Sequence, residues 1–376
     1  MVFLGIRGRS FRGFIRSAAA PLGFLFLSAC ASGTHEDTGP IFYPSLPELP
    51  RLQYLTTINT AEDIGGDGSG SALFGAKENV PGFVRPFGVS HEKGMIYVAD
   101  PGQAAIVTVD LAARKFDITQ ETTGGPYRSP MEIFVAADGY KYIADSDREQ
   151  IIVLDETGKF SRTYGRQGQF RPLSVAVEGE RVYVCDVQDN EIEVLDRQTG
   201  EAVSKVGSRG TENGQFQWPT RVTLGSAGGL FVTDFLNFRI QQFDHDGKFV
   251  KAIGELGTFP GATPRPKGIA VDRDGYLYAI DGAFELVQVF DTRTAEVLMG
   301  FGKFGPKPGS SWLPAGVDLD YDNLDYFAKY VDKNFRAKYL VYVVNQAGFQ
   351  KLNVYAFGDW IGPPPKGATE PAESGS

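Results

Sequence analysis

Phe231-Val232-Thr233-Asp234-Phe235-Leu236-Asn237-Phe238-Arg239-Ile240-Gln241-Gln242-Phe243-Asp244 reads as two short strands joined by a tight polar loop, and it is not unique in the chain. Equivalent second-strand endings occur at Tyr97–Asp100, Tyr142–Asp145, Tyr183–Asp186, Tyr278–Asp281 and, with Asn for Asp, Tyr342–Asn345. Their spacings are 45, 41, 48, 47 and 64 residues. A Pro lies ahead of each pair, at 86, 130, 172, 219, 266 and 314, two residues before a short apolar run. Third runs follow each Asp or Asn, as in Ile151–Leu154 and Val287–Phe290, and fourth runs precede Gly165, Gly207, Gly254 and Gly302. All are β-branched or aromatic at period two, the mark of strands and not helices.

Four strands in about 45 residues is the size of a propeller blade. Six copies predict an all-β, six-bladed β-propeller. The last copy stops after its third strand at Phe357, while Leu52–Ile58 stands alone at the other end with a strand's composition. Pairing the two removes two open sheet edges at once, so the N-terminal strand is expected to close the last blade. One segment breaks the rhythm. In Asp320–Lys338, Leu324, Phe327, Ala328, Val331 and Phe335 fall at helical spacing, which predicts a helical insertion in blade 6.

The unit resembles the NHL repeat. Gly214-Gln215-Phe216 with Pro219, followed by the strand pair quoted above, carries the likeness best, and Gly168-Gln169-Phe170 with Pro172 repeats its first half. The resemblance covers residues 52–357. Blades 5 and 6 lack the Asn-x-Arg that follows the Asp in blade 4.

The chain begins with Arg7, Arg9, Arg12 and Arg16, then a short apolar run ending in Leu27-Ser28-Ala29-Cys30. That pattern fits a signal peptide and is too short to span a bilayer. It resembles a bacterial lipobox, which implies acylation of Cys30 and anchorage in a lipid bilayer. The expected organisation is a signal peptide over 1–29, a lipidated Cys and Pro-rich tether over 30–50, the propeller over 51–360 and a disordered tail over 361–376. Ala31 in place of Asp implies the outer membrane of a bacterial cell envelope by the same resemblance. Lipoproteins of this kind often accompany multihaem cytochromes, which implies an envelope protein as partner in electron transfer or export.

Without the leader, the 37 basic residues lose four and face 46 acids, a net charge of −13. Such a chain repels nucleic acid. With Cys30 acylated, Cys185 is the single remaining thiol, so no intramolecular disulfide and no Cys-based metal site is expected. His91 and His245 are too few for a three-ligand zinc set, and no catalytic motif occurs. The reading is therefore of a non-enzymatic binding scaffold without cofactor or metal. A metal-dependent propeller lyase or lactonase, and a sensor of small ligands at the channel mouth, stand as alternatives.

The Asp closing each second strand is expected to be a turn device, because five copies point to the fold while a site breaks symmetry. Symmetry breaks in two places. First strands hold Gly88, Gly268 and Gly316 where blades 2 and 4 have Glu132 and Arg221, expected to meet in the channel as an ion pair. Before the Pro stand Arg85, Arg171 and Arg265 in alternate blades, with Arg128, Trp218 and Trp312 close by. These six form the candidate interaction face.

Overall fold

The computed structural model describes residues 39–65, 82–226 and 228–364. The leader, Cys30 and the tail from residue 365 lie outside them. Five four-stranded antiparallel sheets and one of five strands make six blades. In blades 1 to 5 the first strands are Gly88–Glu92, Pro130–Val135, Pro172–Glu178, Pro219–Leu224 and Pro266–Val271, and in blade 6 Pro314–Asp320. Each touches the first strand of the next blade, and the sixth touches the first, so the ring is closed.

Closure is made by Leu52–Ile58, which pairs antiparallel with Leu352–Trp360 from Leu52 opposite Phe357 to Ile58 opposite Leu352. Leu52 and Ile58 are fully buried, each adding about 1.5–3 kcal/mol of apolar burial. The blade extends further than expected. Ile41–Tyr43, inside the stretch read as tether, pairs with Leu52–Tyr54 as a fifth strand. Phe42 packs on Phe335 and Trp360, and Tyr43 on Phe301 and Tyr355. The folded body therefore takes in Ile41–Tyr43, ahead of the expected boundary at 51.

The blade 6 insertion is helical for a shorter span than its periodicity suggests. Leu324–Phe327 is one α-turn, continued by a 3-10 turn over Ala328–Tyr330. Phe335–Lys338 instead begins an eleven-residue strand, Phe335–Asn345, whose pairing reaches Trp360. Pairing with the long third strand outcompetes the marginal helix. Phe327 is buried in the blade core. Gln53 of the closing strand donates to Tyr330 O at 2.9 Å and accepts from Asp332 N at 3.0 Å, tying the insertion to its own blade.

This topology gives the disc two dissimilar faces. Blade-to-blade connections and second-to-third strand loops share one, called here the loop face. First-to-second and third-to-fourth strand turns share the other, the turn face.

Candidate functional site

Asp100, Asp145, Asp186, Asp234 and Asp281 are all buried at the loop-face ends of their second strands. Each accepts a backbone N–H from the segment leading into its own blade's first strand: Arg85, Ser129, Arg171, Gln217 and Arg265 respectively. Asn345 does the same for Trp312 N in blade 6. The repeated acid is a turn device, as its symmetry implies. Asp234 also pairs with Arg239 at 3.0 Å. Cys185 is buried beside Asp186, and burial pushes its thiol well above the usual range.

A second device is equally regular. Ala104, Glu149, Asn190, Phe238 and Glu285, each just before the third strand of blades 1 to 5, have φ between 50° and 60°. Repetition in five blades marks this as fold geometry.

Trp218 and Leu313 break that regularity. Both precede the Pro of a first strand, and both hold left-handed backbone, with φ of 63° and 51°. In blades 1, 2, 3 and 5 the residue before the Pro is the one whose N–H meets the repeated Asp. In blades 4 and 6 that bond is made one residue earlier, by Gln217 and Trp312. The extra residue is looped outward, and its N–H is held by the preceding blade: Trp218 N by Asn190 Oδ1 at 2.7 Å, Leu313 N by Glu285 Oε2 at 3.4 Å. Bulky side chains in this conformation are strained by about 1–3 kcal/mol.

Around these two residues the loop face turns apolar. Val84, Leu236, Leu256, Phe259, Phe304 and Phe349 are all exposed there alongside Trp218 and Leu313, and apart from Val84 they belong to the loops of blades 4 to 6. Trp218 and Leu236 line a groove of about 480 Å³ together with Arg171 and Arg209. Trp312 lies between Phe304 and Phe349, with ring centroids 4.7 and 5.8 Å away. Sequence reading missed these partners because an exposed Phe in a connection carries no periodic signal.

The arginines do not form one uniform triangle. Arg171 joins the Trp218 groove and pairs at 3.4 Å with Asp147, both half exposed. Arg85 and Arg265 flank Lys267 at the channel mouth; burial first, then these guanidiniums, lowers the Lys267 pKa. Lys351 is lowered by burial and donates to Val84 O at 2.9 Å. Arg128 lies apart, near Arg148 in a recess of blade 2.

Within the channel Glu132 and Arg221 meet as the expected ion pair. Burial pulls Arg221 down to about 10. The three glycines serve close approach: a Cβ on Gly316 would stand 2.4 Å from Phe87 O, and one on Gly268 2.4 Å from Ala315 O. First strands of blades 5, 6 and 1 thus touch, and the ion pair fills the opposite side.

Below this plug a cavity of about 560 Å³ opens on the turn face, lined by His91, Asp318 and Asp322 among others. His91 Nδ1 bonds Asp318 Oδ2 at 2.6 Å, with Nε2 3.5 Å from Asp320 Oδ1 and 3.9 Å from Asp322 Oδ2. Burial lowers the imidazole, but Asp318, with Asp320 and Asp322 behind it, carries its pKa up to about 9. This arrangement fits a metal poorly. Asp320 already accepts from Asp322 N, Asn323 N, Asn323 Nδ2 and Tyr342 OH, which uses both oxygens, and the imidazolium neutralises the rest. A second acidic group, Asp186, Asp189 and Glu191, has ligand oxygens within 4.8 Å of one another.

No family profile matches the chain. Protein brain tumor of Drosophila melanogaster is 30% identical over 118 residues, 31% of this chain and 11% of that protein. RING finger protein nhl-1 of Caenorhabditis elegans is 32% identical over 74 residues, 20% of this chain and 8% of that one. These two partial likenesses support the resemblance of the repeat to NHL repeats. Peptidylglycine alpha-amidating monooxygenase of Rattus norvegicus is 28% identical over 165 residues, 40% of the chain and 17% of that enzyme. The chain thus spans less than a fifth of the length of each of these relatives. Among solved structures, a Bacteroides thetaiotaomicron protein of unknown function superposes with a TM-score of 0.57 at 16% identity, over 81% of this chain and 75% of that one. A streptogramin B lyase superposes at 0.51 and 17%, over 73% and 84%. At such identities the likeness is one of fold.

Proposed function

We propose that this NHL-like propeller is a non-enzymatic scaffold, anchored to the bacterial envelope through an acylated Cys30, whose loop face binds an envelope protein. The observation that carries the reading is the concentration of exposed large apolar side chains on the loops of blades 4 to 6, two of them in strained backbone, beside a groove holding Arg171 and Arg209. Exposed apolar side chains beside Trp and Arg anchors are the composition of interface hot spots. The basic mouth formed by Arg85, Arg265, Lys267 and Lys351 in an otherwise acidic protein selects a partner presenting carboxylates beside an apolar patch.

The small-ligand reading rests on the turn-face cavity. Most of its charged walls are already matched, Arg221 with Glu132, His91 with Asp318 and Glu92 with Lys141 behind it, leaving Lys93 as the lining cation outside an ion pair among the described residues, so the loop face is favoured. The test is affinity capture from envelopes with the tagged full chain, with Trp218→Ser and Phe349→Ser together, and with Arg85, Arg171 and Arg265 reversed to Glu. A partner held by the parent chain and lost by the first variant supports the reading. Equal capture by all three sinks it. Fatty-acid labelling that survives Cys30→Ser would separately remove the anchor.

A further inference from the structure

The seam between blades 1 and 2 departs from the pattern of the other blades at three positions, and all three line one cleft. The first is the fourth-strand residue paired with the start of the third strand. Blades 2 to 5 place Tyr164, Val206, Ile253 and Phe301 there, all buried. Blade 1 has Thr119, which lies opposite Ile106 and is exposed. The second position lies four residues before the repeated Asp or Asn. Ile96, Val182, Leu230, Leu277 and Val341 are buried apolar residues there, whereas blade 2 buries Lys141. The third is Tyr127, the counterpart of Phe216 ahead of blade 4. Each donates its N–H at 2.8 Å to a carbonyl just beyond the preceding fourth strand, of Gln120 and Ser208 respectively. Tyr127 adds a hydroxyl, and that hydroxyl is buried with no hydrogen-bond partner among the described residues.

The cleft measures about 430 Å³, and Ile106, Ile133, Leu154 and Phe160 give it apolar walls. Bulky side chains fill the corresponding space in the other seams; Thr119 leaves it open. Unfilled apolar space and an orphaned buried hydroxyl both disfavour the empty state, and one bound molecule removes both costs. We propose that this cleft binds a small uncharged ring compound bearing an acceptor oxygen, of the aryl ketone or aryl lactone class. Lys141 sets the charge. Its Nζ lies 3.1 Å from Glu92 Oε2 and donates to Glu156 O at 3.0 Å, so the buried cation is matched within the protein and an anion gains little. The rings of Tyr97 and Phe160 line the space, which favours a flat apolar body. Burial first, then Asp145, pushes the Tyr127 pKa up; its hydroxyl stays protonated, and the group that complements it is an acceptor. None of the six candidate interaction residues lines this cleft, so the site is separate from the loop-face reading.

Coumarin, an uncharged bicyclic lactone, is the probe, titrated calorimetrically into the full chain with coumarin-3-carboxylate as the charged control. Coumarin binds with a Kd of about 1 mM or below, and the carboxylate binds at least about tenfold more weakly. Thr119→Phe restores the bulky residue that blade 5 has in Phe301; it melts no lower than the parent and loses the probe. Tyr127→Phe removes the orphaned hydroxyl, so it melts about 2–4 °C above the parent and binds coumarin about fivefold more weakly. Trp218→Ser with Phe349→Ser binds it as the parent does. Absence of binding to the parent overturns the site. So does equal binding by Thr119→Phe and Tyr127→Phe, or loss in the Trp218 and Phe349 variant, which puts the probe on the loop face. Tighter binding of the carboxylate overturns the uncharged assignment.

Discussion

The loop face and the turn face are made by the same six sheets, yet they solve opposite problems. On the turn face acids sit in repeated, satisfied positions: Asp155 accepts from Thr157 and Lys159, Asp244 from Asp246 and Lys248, Asp272 from Asp274 and Tyr276. Each closes its own turn and leaves little to offer a partner. On the loop face the repeated Asp is just as satisfied, but the residues added around it differ from blade to blade, in apolar character, in backbone strain and in charge. Regularity reports the fold, and departures from it report what the fold carries.

The contrast is broken most severely at the plug between the faces. Glu132→Ala leaves Arg221 as an uncompensated buried charge and should cost about 3–5 kcal/mol in urea unfolding. Asp234→Ala strands part-buried donors from Gln217, Asn237 and Arg239 and the buried donor of Gln241, and should cost about 3 kcal/mol; Asp155→Ala on the turn face should move the same midpoint far less. A comparable loss from the exposed acid would erase the distinction drawn here.

His91 sharpens the comparison through pH. Its pKa rises from 6.5 to about 9 on folding, so the stabilisation is complete below pH 6.5 and is lost as pH rises through about 9. Unfolding midpoints should fall by about 2–3 kcal/mol between pH 6.5 and 9.5, more steeply than in His91→Gln. Parallel profiles would remove His91 from the account. The smallest effect is the most telling for function. Trp218→Gly relieves left-handed strain and should leave stability unchanged or raise it by about 0.5–1 kcal/mol while weakening partner capture. A large loss of stability would make Trp218 a structural residue.

Ring size and blade content were legible in the chain because each rests on a pattern repeated six times, closure because the last copy lacks a fourth strand that Leu52–Ile58 supplies, and Glu132 with Arg221 as a break in one aligned position. What stayed hidden lacks such support. Ile41–Tyr43 is three residues long, too short for alternation to register. The spacing of Leu324, Val331 and Phe335 fits a helix, but Phe335 belongs to a strand that only tertiary pairing selects. His91 meets Asp318 across a sequence separation of 227 residues, which no local pattern encodes.

Pairing Leu52 with Phe357 imposes an order of events on biogenesis. The strand synthesised near the start must wait, unsatisfied, until almost the whole polypeptide has been made. Joining ends some 300 residues apart costs several kcal/mol of chain entropy, recovered only when the ring snaps shut. Truncation anywhere before the closing pair therefore yields no smaller propeller, only an open crescent with two sticky edges. Loss of Leu352–Trp360 should be as damaging to folding as loss of Leu52–Ile58.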